Sequence, residues 1–156
     1  MMNNFNDILR KGAILSSGTI DDFNSMTIGW GASGVVYRED VFICFVKKNR
    51  YTYEFTSKFD HFVISFFSDE YKNVLAYMGT KSGRDNDKVN DLGLHPFDID
   101  GVGVGFKEAY ANILCKVIYF DEMNLDNLGE EIVNRYYTVD PPHVMYIGKI
   151  EKVIND

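Results

Sequence analysis

The stretch MGTKSGRDNDK, Met78 to Lys88, gathers two glycines, a serine, a threonine, an arginine and two lysines in an otherwise acidic chain. Glycine lets backbone N–H groups approach an anion, and hydroxyls add donors. Arg84 offers a planar fork to a phosphate, and Lys88 adds a point charge. The pattern predicts a helix opening near Gly83 or Arg84, with Lys88 one turn further along the same face. The same residues also suit a plain turn between two helices with solvated charges. The Gly-Lys-Ser/Thr tail of a P-loop is missing, so nothing here implies ATP.

The surroundings sharpen the contrast. The chain has 156 residues and a net charge of −7, which repels nucleic acid and anionic membrane on average. From Val46 to Lys88, however, eight basic residues face six acidic ones, leaving +2 there and −9 elsewhere. A local basic segment in an acidic chain suggests a small anionic ligand. The length fits one domain with one core. No secretory pattern is seen in MMNNFNDILRKG, and no apolar run approaches the roughly 20 residues that span a bilayer. Cys44 and Cys115 each sit in an apolar stretch and read as reduced core thiols of a cytoplasmic protein.

Outward from the loop, SDEYKNVLAYMG reads as a helix capped by Ser68 or Asp69 and ended by Gly79. GRDNDKVNDLGL reads as a shorter helix ending at Gly93. HFVISFFS (His61–Ser68) and VFICFVKK (Val41–Lys48) are short runs of β formers, read as buried strands. NRYTYEFTSKF between them is too polar for a central strand and reads as a short helix with Asn49 as cap. AILSSGTIDDFNSMTIGW reads as two strands turning at Asp21-Asp22. Ala111–Met123 and His143–Ile154 are two more strands, with a loop and a weak helix between them. HPFDIDGVGVGFKEAY reads as irregular. GVGVG within it is half of a dinucleotide fingerprint, but Phe106 stands where the last glycine is required, so it reads as a loop. Strands without βαβ alternation predict a mainly β fold, an antiparallel sheet or β-barrel with attached α-helices.

Two other stretches carry ligand chemistry. NRYTYE places Arg50 and Thr52 at a helix start. NSMTIGWG places Asn24, Ser25 and Thr27 beside the only tryptophan, Trp30, which equally suits core packing. His61, His95 and His143 are far apart and lack zinc-ligand spacing, so no metal is expected. No Gly-x-Ser-x-Gly elbow is present.

Taken in order, NSMTIGWG, RYTYEF and GTKSGRDNDK resemble the flavin reductase-like family, and within it the flavoredoxin-like subgroup. FKEAYANILCK and the tail HVMYIGKI fit as well, so the resemblance runs from about residue 13 to 154 of a single domain, 1–156. The resemblance implies an antiparallel Greek-key FMN-binding split barrel that forms a homodimer. It implies that Asn24, Met26, Thr27, Ile28 and Trp30 follow the flavin ring and ribityl chain. Arg50 and Thr52 would face the phosphate, and Ser82, Gly83, Arg84 and Lys88 would complete that site. His143 matches a histidine near the flavin and its nicotinamide donor, and no other catalytic residue is expected. The chain departs from the family where Lys47-Lys48 replaces an Arg-Pro pair, where Lys149 follows YIG, and in VDPP before His143.

The function implied is an FMN oxidoreductase that takes electrons from NAD(P)H or a protein donor and gives them to a small-molecule or protein acceptor. A flavin carrier or sensor would show the same loop, and so would a barrel that had lost its ligand. No nucleic-acid or membrane partner is expected.

Overall fold

The computed structural model describes residues 2–155. Among the described residues, nine strands and five α-helices follow one another. Helix α1 (Met2–Lys11) leads into the hairpin β1 (Ala13–Thr19) and β2 (Asp22–Ile28). A second hairpin follows, β3 (Gly31–Val36) and β4 (Glu39–Lys47). Then come α2 (Tyr51–Thr56), β5 (His61–Phe66), α3 (Lys72–Thr80) and α4 (Lys88–Leu92). The chain closes with β6 (Pro96–Ile99), β7 (Gly103–Phe106), β8 (Ala111–Glu122), α5 (Glu130–Tyr136) and β9 (His143–Asn155).

Seven strands form one antiparallel sheet in the order β2-β1-β5-β8-β9-β4-β3, and β6-β7 is a separate hairpin. Side chains from both halves of the sheet, among them Leu15, Phe42, Cys44, Phe62, Ile64, Cys115 and Tyr146, meet in one interior cluster. The sheet therefore curls around a core, while its edge strands β2 and β3 do not pair: a split barrel.

Every residue of β5 is buried, because both of its faces are covered. Phe62, Ile64 and Phe66 point into the barrel. Val63, on the opposite face, packs with Ile99 and Leu114 under the β6-β7 hairpin. This explains why HFVISF is continuous rather than alternating. Gly148 on β9 makes room for the core: a Cβ there would lie 2.5 Å from Phe62 Cζ and 2.7 Å from Cys115 Cβ.

Several expectations are corrected. The stretch read as irregular contains the β6-β7 hairpin, and GVGVG is its turn at Gly101-Val102 followed by strand at residues 103–105. Gly103 and Gly105 lie in buried β7, where side chains of Leu114, Val63, Phe97 and Asn112 leave no room for a Cβ. Asn112 locks the hairpin down: its Oδ1 accepts from Ser65 Oγ and Phe106 N, and its Nδ2 donates to Phe106 O. The residue capping α2 is Arg50, not Asn49, and no side chain bonds the helix start. A 3-10 turn, Asp69–Tyr71, precedes α3, so neither Ser68 nor Asp69 caps it, and α3 runs through Gly79 to Thr80. The loop after α3 contains no helix at Gly83 or Arg84. Residues 83–85 are turn, and α4 opens only at Lys88 behind Asp87. Arg84 and Lys88 therefore do not share a helix face. Helix α1 and strand β3 had no counterpart in the sequence reading.

Both cysteines are free and fully buried. Burial raises both thiols well above their ordinary range, with Cys115 adding to the effect at Cys44 and Glu151 at Cys115. They are inert core residues. Among the described residues, no helix is long and apolar enough to cross a membrane.

Candidate functional site

The three motifs converge because β2 packs against α3 and α2. Gly79 permits this approach, since a Cβ there would sit 3.3 Å from Thr27 Cβ. Thr27 Oγ1 donates to the Leu75 carbonyl at 2.5 Å, and Lys88 Nζ donates to the carbonyls of Ser25 at 2.5 Å and Met78 at 3.3 Å. Asn24 Nδ2 donates to Thr52 Oγ1 at 2.8 Å in a buried contact that ties β2 to α2.

Between these elements lies a polar cavity of about 330 Å³, lined by Asn24, Met26, Arg50, Thr52, Ser82, Gly83, Arg84 and Lys88, and also by Asn49, Thr80 and Lys81. A second cavity of about 230 Å³ adjoins it, sharing Met26 and Arg50. Its walls are Thr27, Ile28, Trp30, Phe45, Lys47, Tyr136 and His143. The residues expected to line a flavin site thus lie on one of two adjoining cavities, whereas Ser25 lines neither and pairs its buried hydroxyl with Ser16.

Their side chains are not equally available. Arg84 is paired with Glu54 at 2.7 Å and lies over the Tyr51 ring at 4.9 Å. Lys88 is 6% exposed and spends its donors on backbone carbonyls. Among the described residues, Arg50 and Lys81 have no side-chain hydrogen bond or ion pair. Ser82 shapes the turn: its hydroxyl accepts from Arg84 N, and its carbonyl accepts from Asp85 N and Asn86 N.

Trp30 is 46% exposed, so it is not a core residue. Its ring lies 5.1 Å from that of Tyr136 and 5.0 Å from that of His143. His143 is buried, and its Nδ1 is 2.6 Å from Tyr137 Oη. Burial, helped by Lys47 and Arg50 against the pull of Asp140, pushes its pKa down to about 4. It is a neutral imidazole at pH 7, suited to hydrogen bonding rather than to charge.

Sequence reasoning missed Lys81, Phe45, Lys47 and Tyr136. Lys81 stood in the loop as one more charge, and only the cavity distinguishes it. Phe45 and Lys47 sit on β4 just ahead of RYTYEF, where Lys47 stood out only as a departure from the family, and Tyr136 ends α5, far from all three motifs; no spacing announces that they meet.

Burial, and then the charge of Arg50, pulls the Lys88 ammonium down to about 8 from 10.5. Between those values the unfolded chain holds a proton that the folded chain has released, so stability gained from this residue rises with pH across the window. Relative to Lys88→Met, wild type is expected to gain on the order of 1 kcal/mol between pH 8 and pH 10.5. Paired urea titrations at the two pH values check this, and an unchanged difference would contradict it.

A family model described as a flavin reductase like domain matches residues 7–156. The chain belongs to that family, and with it to the flavin-binding oxidoreductases. Flavoredoxin from Methanosarcina acetivorans superposes with a TM-score of 0.75 at 20% identity, covering 93% of this chain and 68% of that one. Flavoredoxin of Desulfovibrio vulgaris (Miyazaki F) gives 0.72 at 23% identity, covering 93% and 69%. The FMN-binding protein from Thermus thermophilus with bound 1-cyclohex-2-enone gives 0.72 at 19%, covering 92% and 69%. At these identities the likeness is one of fold. No curated protein sequence matches the chain.

Proposed function

We propose that the two cavities together bind one FMN and that the chain is an FMN-dependent oxidoreductase. The observation that carries this is their junction. A polar cavity with unpaired cations opens, at Met26 and Arg50, into a cavity walled by aromatic rings and backbone. Phosphate needs cations and N–H donors, and a flat ring needs an apolar, partly aromatic wall. Arg50, Lys81, Ser82 and Thr52 would hold the phosphate end, and Met26, Thr27, Ile28, Trp30 and His143 would border the ring end. When bound, FMN would supply hydride or single-electron chemistry between a donor, NADH, NADPH or a protein, and an acceptor of either kind.

The residues themselves have modest tasks. The rings of Trp30 and Tyr136 shield the second cavity from water. The rigid β2 backbone fixes position along it. Hydride transfer itself requires no side chain as acid or base, so no catalytic triad is expected, and His143 is the one candidate for contact with donor or substrate. Arg84, already engaged by Glu54 and 44% exposed, makes a small contribution. Arg84→Ala should weaken FMN by about 3- to 10-fold, the size of a solvent-exposed charge contact, in a fluorescence titration.

The protein is expected to be a cytoplasmic homodimer, as its family suggests. Val35, Tyr37 and Phe120 are exposed apolar side chains in keeping with a covered surface. Sedimentation at micromolar concentration tests this, and a monomer there would count against it.

The direct experiment is anaerobic. Purified protein is loaded with FMN, freed of excess, and mixed with NADH and then NADPH. Bleaching of retained flavin establishes the reductase and its donor. Flavin retained but left oxidised by both would point to a protein donor or to a carrier. Failure to retain FMN would refute the site.

A further inference from the structure

The segment after α5 is pinned to the aromatic cavity at three points. Tyr136 stands edge-on to Trp30 at 5.1 Å. Tyr137 Oη meets His143 Nδ1 at 2.6 Å. Asp140 Oδ2 is paired with Lys47 Nζ at 2.8 Å, and Pro141 and Pro142 then stiffen the approach to β9. These are the residues of the unusual VDPP stretch and the tyrosine pair before it. They make the strap a fixed wall rather than a loose loop.

The Tyr137–His143 contact has a direction. A phenol is a strong donor and a weak acceptor, and a neutral imidazole has one nitrogen of each kind. Tyr137 Oη has no other side-chain or backbone acceptor among the described residues, and a phenol is the stronger donor of the pair, which favours donation of its hydrogen to Nδ1. Burial raises the phenol above its ordinary value, with the His143 backbone N–H acting in the opposite sense, so the group stays protonated. The single imidazole hydrogen must then sit on Nε2. That nitrogen has no partner among the described residues, yet no fully buried side-chain nitrogen is left without one. Nε2 is therefore open, and the cavity that His143 lines is the space beside it.

We propose that Tyr137 is a positioning residue: by donating to Nδ1 it holds His143 in the Nε2–H tautomer, so that a neutral N–H donor faces a carbonyl-type acceptor in the aromatic cavity. The tautomer stands on this chain's geometry alone, while the acceptor rests on the reading of the cavity as the ring end of a flavin site. The charged and titratable groups around His143 are Lys47 and Arg50, which disfavour its protonation, Asp140, which favours it, and Tyr137 itself. A phenol hydroxyl can also turn to accept from the protonated ring, so the tautomer of the neutral ring, rather than its titration midpoint, reports the contact.

The test is nitrogen NMR of 15N-labelled protein without added flavin, with His143→Gln used to assign the signals. Wild type is expected to show the Nε2–H tautomer from pH 6 to pH 8. Tyr137→Phe, which keeps the ring, is expected to show a mixture of the two neutral tautomers. A wild-type Nδ1–H tautomer overturns the proposal without any variant. So does a folded Tyr137→Phe protein with an unchanged tautomer. FMN retention is followed on the same samples. The expected tautomer without FMN uptake overturns the facing acceptor and the flavin reading while leaving the tautomer standing. FMN uptake with the wrong tautomer overturns the assignment to Tyr137.

Discussion

Arg50→Ala should weaken FMN binding by about 10- to 100-fold, the range expected for charge-assisted hydrogen bonds worth roughly 1.5–3 kcal/mol. The reason lies in what the other cations are doing. Arg84 is held by Glu54 and stacked on Tyr51. Lys88 donates to the carbonyls of Ser25 and Met78. Their charges remain nearby, but Glu54 and Tyr51 hold the Arg84 guanidinium, and two of the three Lys88 donors go to backbone carbonyls. Arg50 lines both cavities and has no protein partner among the described residues. It also stands at the start of α2, where no side chain caps the helix. Removing its side chain breaks no contact of the fold, so the melting temperature should hold while affinity falls. The predicted order of damage is Arg50 well above Arg84. Equal losses for the two, or less than a threefold loss for Arg50, would show that the phosphate is held elsewhere.

That ordering could not be read from the sequence. The motifs pointed to residues that meet, because NSMTIGWG, RYTYEF and GTKSGRDNDK each combine polar donors with cations or glycine and together resemble one family's ligand site. They could not show which donors are already taken. Lys88 is expected from the sequence to add a point charge one turn along a helix. It proved to be a tie between β2 and α3, since the loop stays in turns until Asp87 accepts from Asn90 N and opens α4. Whether a cation is free is a property of packing, and packing is settled between segments distant in the chain.

The fold shows the same division. Strands with dense β-branched and aromatic residues, such as His61–Phe66, were legible from local pattern. Strand β3 was not, for two reasons. Its sequence GASGVV is small and mostly exposed, and its hairpin turns through Tyr37 and Arg38 at φ +54° and +62° rather than through Asn-Gly. Helix α1 was hidden by its asparagines. Among the described residues, three apolar side chains of α1, Phe5, Ile8 and Leu9, reach the core, with Phe5 6.5 Å from Phe42. The β6-β7 hairpin was read as a loop because glycine alternation resembles flexibility. Here it reflects crowding by Leu114, Val63 and Asn112.

Crowding also explains the glycine at the centre of the loop, and its replacement should be as damaging as that of Arg50. A Cβ on Gly83 would lie 2.0 Å from Asn24 Oδ1 and 3.0 Å from Tyr51 Cδ1. Asn24 cannot yield easily, because its amide is buried and donates to Thr52. Gly83→Ala must therefore lift the loop from β2, carrying Ser82 and Arg84 out of place. Overpacking of this kind costs about 1–3 kcal/mol. If that cost falls on the loop that lines the polar cavity, FMN affinity should drop by about 10-fold or more, and the melting temperature should fall by roughly 2–10 °C. The paired loss is the informative outcome. A glycine present only to let backbone approach a phosphate would lose affinity at constant stability. A glycine present to seat the loop on Asn24 loses both. Gly34→Ala is the matched control, since a Cβ there meets nothing within 4 Å, and it should change neither quantity. If Gly83→Ala keeps wild-type affinity and melting temperature, the loop tolerates displacement, and its seating on Asn24 is not what forms the site.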